Sequence, residues 1–274
     1  MSVPPLVVCA AAAALYALGG HGRVGSTTRG RRWREASFYT GMLFLLVVLE
    51  PPFDRLADES FSIHMTQHVV LLTIVPPLVV LGRPWPRMWM PFPTRIRRAA
   101  AREIARGRWS APLRAAARVS TRPPVALAVM SATVGIWHVP ALYDAAVRNN
   151  KVHFGEHACF LVAALLYWAP MLESPPVRAR IDHLRRAAMF AGAAVPGWIL
   201  ALVLTFATTP LYGAYVSLQH RPGGISALGD QQIAAGVMLV PGSAAFFIGF
   251  FVSVYRWLEP ATALEAQPEE LIWT

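Results

Sequence analysis

The sequence predicts an all-α integral membrane protein, a bundle of seven transmembrane helices with the N-terminus outside and the C-terminus in the cytoplasm. Three observations lead there. Hydrophobic residues make up 55% of the 274 and charged residues only 15%, where soluble domains carry roughly 25% charged. Seven apolar segments approach the ~20 residues that a helix needs to cross ~30 Å of hydrocarbon. The arginines gather in alternate connections between those segments.

The segments are approximately 3–20, 36–50, 62–82, 123–140, 152–171, 187–208 and 231–255. Together they define a membrane domain, 1–258, followed by an acidic cytoplasmic tail, 259–274. The first is expected to be a retained span, because no basic residue precedes it as a signal peptide would require. The second is short and ends at Glu50-Pro51-Pro52. The third opens with His64-Met65-Thr66-Gln67-His68, carries Pro76-Pro77 at its middle and ends in Gly82-Arg83-Pro84. Those prolines remove backbone donors in mid-membrane, so the freed carbonyls should find partners on neighbouring helices. Pro170, Pro196 and Pro241 repeat the pattern in the fifth, sixth and seventh segments.

Orientation follows from the arginines. Segments 21–35, 83–122 and 172–186, with Arg256, hold 21 of the 25 basic residues. The alternate connections hold only Arg55, Arg148, Lys151 and Arg221. Positive residues stay inside, which sets the first group in the cytoplasm. The net charge of +10 is thereby a matter of topology, and nucleic acid is not an expected partner. The arginine-rich stretch 94–109 has helical propensity and reads as a topology anchor on the anionic inner leaflet.

With this topology, His64 and His68 open the third span at its outer end. His138 closes the fourth there, and His153 and His157 open the fifth. Residues four apart share a helix face, so each i,i+4 pair projects one way. Only His21 and His183 fall on the cytoplasmic side, and His220 lies in the last outer connection. Ionisable groups in a membrane usually face the bundle interior, and imidazole is the commonest metal ligand. The five histidines are therefore the expected metal ligands, with Met65, Glu156, Asp230 and Met238 as secondary candidates. Glu156, Asp144 and Asp230 suit support of the imidazoles, and Asp230 equally suits capping of the seventh span. Thioether and thiol neighbours (Met65, Met238, Cys9, Cys159) tilt the preference among imidazole-binding metals toward copper. Cys9 and Cys159 form no disulfide framework.

Three blocks also resemble a known family. His64-Met65-x-Gln67-His68 with Pro76-Pro77 and Leu81-Gly82-x-Pro84 is similar to the hallmark of the CtaG family of cytochrome c oxidase (caa3-type) assembly factors. Trp137-His138-x-Pro140-x-x-Tyr143-Asp144 through His153-x-x-Glu156-His157 resembles its next signature, and Asp230-Gln231-Gln232-x-Ala234-x-Gly236-x-Met238 with Pro241-Gly242 its last. Leu239 stands where the family usually has Trp. The resemblance implies a multi-pass protein of the bacterial inner membrane that assists copper insertion into the oxidase and turns over no substrate. Its implied partners are the lipid bilayer, cytochrome c oxidase subunits and a copper donor protein. Three other readings stay open: an intramembrane zinc hydrolase using His153-x-x-Glu156-His157, a b-type haem protein ligated by His68 and His157, and a metal-free structural scaffold for oxidase biogenesis.

Overall fold

The computed structural model describes residues 5–21, 28–177, 181–218 and 221–265, without the side chains of residues 21, 28 and 260–265. The acidic tail beyond Glu265, the outer-connection His220, and Arg23, Arg178 and Arg180 lie outside the described residues.

The regular structure among the described residues is helical. In order these are α1 (Pro5–Leu18), α2 (Thr28–Leu49), α3 (Phe53–Glu59), α4 (Phe61–Val69), a π-helical turn (Val70–Ile74), α5 (Val75–Leu81), α6 (Pro84–Met88), α7 (Thr94–Arg106) and α8 (Ala111–Ser120). They continue with α9 (Pro123–Trp137), α10 (Pro140–Arg148), α11 (Asn150–Met171), α12 (His183–Phe206), α13 (Gly213–Val216), α14 (Ala227–Leu239) and α15 (Pro241–Glu265). Short 3-10 turns at Gly19–His21 and Pro222–Gly224 complete the set.

Among the described residues, four stretches are long and apolar enough to cross a membrane: Phe61–Leu81, Asn150–Met171, His183–Phe206 and Ala227–Glu259. The count rises to six if two bent pairs are each one span. These are Arg29–Leu49 with Phe53–Glu59, bent by 45°, and Pro123–Trp137 with Pro140–Arg148, bent by 74°. Length and composition thus give four to six spans where seven were expected. The remaining one, α1, is apolar but has 14 residues, a rise of only ~21 Å at ~1.5 Å per residue.

Several boundaries also shift. Helix α2 begins at Thr28 rather than 36, because arginine is nearly as good a helix former as leucine and hydropathy sees only the apolar part of the helix. The fourth segment does not run straight through 140. It breaks at His138 and Val139, and Pro140 opens a new helix in the first-turn position that proline favours. The last helix continues past the expected end at 255 to Glu265. The arginine-rich stretch does form the expected helix, α7.

The third span is the centre of the bundle. Of its apolar window 61% is buried, against 39%, 33% and 28% for the other three long spans. Its proline pair explains much of its surroundings. Leu72 loses its ordinary i+4 donor because that residue is Pro76, and the i+5 donor is missing because it is Pro77. Trp168 on α11 supplies the missing proton, its Nε1–H donating to Leu72 O at 2.9 Å. Just upstream the helix widens, and Val75 N–H reaches back to Val70 O in π-helical fashion. Further along, Ser37 on α2 donates to Leu78 O at 2.7 Å, Ser174 to Val80 O at 3.0 Å and Tyr16 on α1 to Gly82 O at 2.8 Å. Gly82 packs so close to Phe38 that an added Cβ would lie 2.7 Å from the Phe38 Cβ. At this end Arg87 binds α1 and α2 together, donating to Tyr16 O at 2.7 Å and pairing with Glu35 at 2.9 Å. Of the carbonyls that Pro76 and Pro77 deprive of a donor, Leu72 O is thus met by Trp168 of α11, while Ser37, Ser174 and Tyr16 tie the close of the span to α2, the α11–α12 connection and α1.

Trp168 also stacks on Phe246, with ring centroids 5.5 Å apart and planes 6° from parallel. Trp168→Phe keeps a stacking ring but leaves Leu72 O without a donor in an apolar setting. Thermal unfolding in detergent should show destabilisation of about 1–3 kcal/mol, the cost of an unsatisfied buried polar group.

Candidate metal centre

The centre is built on two helices. On α4, His64 and His68 lie one turn apart, with 1% and 2% of their surface exposed. On α11, Glu156 and His157 face them, at 0% and 8%. One ligand atom from each of these four residues can be chosen so that all lie within 4.8 Å of one another. His64 Nε2 and His68 Nε2 are 2.9 Å apart, and the Glu156 carboxylate oxygens stand 3.8 and 3.7 Å from them.

The hydrogen bonds determine which nitrogens are available. Tyr215, in α13, donates its hydroxyl proton to Ala57 O at 2.8 Å. Burial holds this phenol protonated, its pKa well above the ordinary range. A phenol has one proton, so the 2.8 Å contact between Tyr215 O and His64 Nδ1 must have the ring as donor. His64 is thus the Nδ1–H tautomer and its Nε2 presents a lone pair to the centre. The 2.9 Å contact then requires His68 Nε2–H to donate, which leaves His68 Nδ1 as a bare acceptor. That atom is buried without a hydrogen-bond partner. Both Glu156 oxygens and His157 Nε2 are also buried and unpartnered. A carboxylate and an imidazole without donors are costly to bury, and a cation among them would satisfy these lone pairs together.

The other expected residues fall into three groups. His153 is half-buried beside the centre, its ring centroid 4.9 Å from that of His64 and 4.1 Å from that of His157. Asp54 and Asp58 of α3 lie within electrostatic reach of it. His138 lies on the opposite side, 5.6 Å from His68 between ring centroids. Its Nδ1 donates to Val134 O at 2.7 Å, leaving a buried, unpartnered Nε2. Neither ring belongs to the four-residue group. Met65 and Met238 line a cavity that borders His68.

Asp230 has other partners. Its Oδ2 accepts from Phe61 N at 2.7 Å, and its Oδ1 from Ser62 N at 3.1 Å and Ser60 Oγ at 3.0 Å. It therefore closes the N-terminus of α4, while Ser226 caps Asp230's own helix α14. Asp144 accepts from Ala214 N at 3.1 Å, bracing α13 and with it Tyr215. Cys9 packs with Leu45, Val48 and Val70 away from the centre, and Cys159 is exposed. His183 opens α12, away from the cluster.

Sequence reading passed over Tyr215 and Met130. Tyr212-x-x-Tyr215, in the connection between the sixth and seventh segments, was a signal for the first. For the second it was the i,i+4,i+8 stripe Met130-Val134-His138 on α9.

A model of the cytochrome c oxidase caa3 assembly factors matches residues 14–259, nearly the whole chain. The chain belongs to that family. Compared with curated proteins and with solved structures, it matches none. The family gives an assembly factor for the oxidase, consistent with the membrane-helical character of the bundle. Every residue of the cluster falls inside the matched region.

Asp230→Ala removes three acceptor contacts from the start of α4. Unfolding in detergent should show a loss of about 1–3 kcal/mol, while metal content per folded molecule stays at the wild-type level.

Proposed function

We propose that this assembly factor binds copper as cargo in the His64–His68–Glu156–His157 cluster and assists its insertion into cytochrome c oxidase. One observation carries the reading: beside His64 and His68, both Glu156 oxygens and His157 Nε2 are buried without a hydrogen-bond partner. Imidazole suits copper, zinc and iron, and the family's work on an oxidase favours copper as the cargo. His64 would bind through Nε2, held in that tautomer by Tyr215, and Glu156 would supply the negative charge. His153 with Asp54 and Asp58 stands between the cluster and the surface, and suits receipt of the ion from a donor protein. The protein is read as a carrier without a catalytic cycle.

The alternatives fit the geometry less well. Use of Glu156 as a hydrolytic base would need it free of the metal ligands, yet its oxygens stand under 4 Å from two imidazoles. The His68 and His157 ring centroids are 5.3 Å apart and the rings nearly perpendicular, which leaves no slot for a haem macrocycle between them.

The finer topology belongs to the same reading: α1 as a seventh span, the N-terminus outside, and the cluster facing the outer side of the bacterial inner membrane. Its support is the arginine asymmetry. Alkaline phosphatase fused within 94–109 should be inactive, and fused within 209–218 active; the reverse pattern would invert the topology.

For the cluster, purified protein loaded with Cu(II) and desalted should retain copper. The His64→Ala/His157→Ala variant should retain at least tenfold less at matched free copper. Equal retention in the two proteins would remove the site.

A further inference from the structure

Beyond His68, on the side away from His64, lies a cavity of about 50 Å³ outside the four-residue group. His68, His138, Met65, Met130 and Met238 all line it. Three of the chain's nine methionines thus meet two imidazoles around one small space.

The hydrogen-bond arrangement makes this cavity rich in electron pairs. His138 donates through Nδ1 to Val134 O, so its remaining ring nitrogen is a bare Nε2, buried and unpartnered. His68 donates through Nε2 toward His64, so Nδ1 is its bare nitrogen, likewise buried and unpartnered. Two of the three lining hydroxyls turn their protons elsewhere, Thr73 to Val69 O at 2.8 Å and Ser243 to Leu239 O at 2.7 Å. None of these groups directs a proton into the space. A water molecule, whose share of liquid volume is ~30 Å³, would satisfy the two nitrogens but gives no reason for three thioethers to converge there.

We propose that the cavity is a second metal site, selective for a soft monovalent cation and suited to Cu(I). His68 Nδ1, His138 Nε2 and the thioethers of Met65, Met130 and Met238 are its ligands. Thioethers select Cu(I) over harder ions, whereas the neighbouring carboxylate-bearing cluster has no sulfur. His68 is the wall between the two sites, one ring nitrogen toward each. The site goes beyond the proposed function and does not rest on it, since its ligands other than His68 are separate.

X-ray absorption at the copper edge tests it directly, on whole protein loaded anaerobically with Cu(I). Wild-type protein should show sulfur scattering. The volume-conserving triple variant Met65→Leu/Met130→Leu/Met238→Leu should lose that signal and bind less Cu(I), and His64→Ala should keep it. The proposal is overturned if Cu(I)-loaded wild-type protein shows only nitrogen and oxygen scattering. Sulfur scattering that survives substitution of all three methionines also overturns it, since the sulfur would then come from outside the cavity, and so does failure to bind Cu(I). Cu(II) retained by the histidine–carboxylate cluster in the same preparation would leave the proposed function standing when the second site fails. Sulfur-bound Cu(I) without Cu(II) retention would do the opposite.

Discussion

A carboxylate with no hydrogen-bond donor, enclosed by imidazoles inside a helical bundle, is the constraint around which the structure is arranged. Burying such a group costs several kcal/mol unless charge or hydrogen bonds compensate. The fold does not compensate with protein donors at Glu156. Instead it sets acceptors on the rings beside it, the Tyr215 hydroxyl oxygen on His64 and the Val134 carbonyl on His138. Rings fixed in this way leave their free lone pairs at predetermined points. Such an arrangement is poor for stability and well suited to holding a cation.

Holding α4 against α11 then becomes the task of the remaining contacts. The N-terminus of α4 is closed by a carboxylate from α14, seated between the first backbone N–H groups of a helix it does not belong to. The Phe61, Tyr143, Tyr212 and Tyr215 rings pack beside it, linking α4, α10 and the α12–α14 connection. Further along the same span, Trp168 takes up the Leu72 carbonyl released by Pro76, and Ser37, Ser174 and Tyr16 bind carbonyls near its close. The third span is thus tied at both ends and at its middle. Its histidines are carried on one of the most constrained elements of the bundle, which preserves the spacing that a metal site needs.

His68 also borders two different surroundings. Toward α11 lie imidazole nitrogen and carboxylate oxygen; toward α9 and α14 lies the cavity lined by His138 and three methionines. Because His68 carries a single ring proton, directing it to His64 frees the opposite nitrogen. A protonation state on one side is therefore coupled to ligand availability on the other. This coupling is a property of imidazole held in one orientation, and a methionine or cysteine in its place would not possess it.

Much of this was legible before any coordinates. Low charge and long apolar runs required a helical membrane protein, because lipid leaves backbone polar groups no partner outside a helix or closed barrel. The i,i+4 spacing of His64 and His68 put both rings on one helix face by geometry alone, and the three ordered blocks identified the family. Proline at 76 and 77 foretold carbonyls in need of partners. What the sequence could not determine was which groups meet across helices. Whether Asp230 touches a metal, its own helix or α4 depends on how α14 packs on α4. Whether His138 joins the histidine cluster or faces the methionines depends on the 74° break that follows it. The number of spans likewise depends on whether bent pairs cross as units. Those outcomes are set by packing and hydrogen-bond partners distant in sequence, since local spacing fixes the direction of a side chain from its own helix but not what lies opposite it.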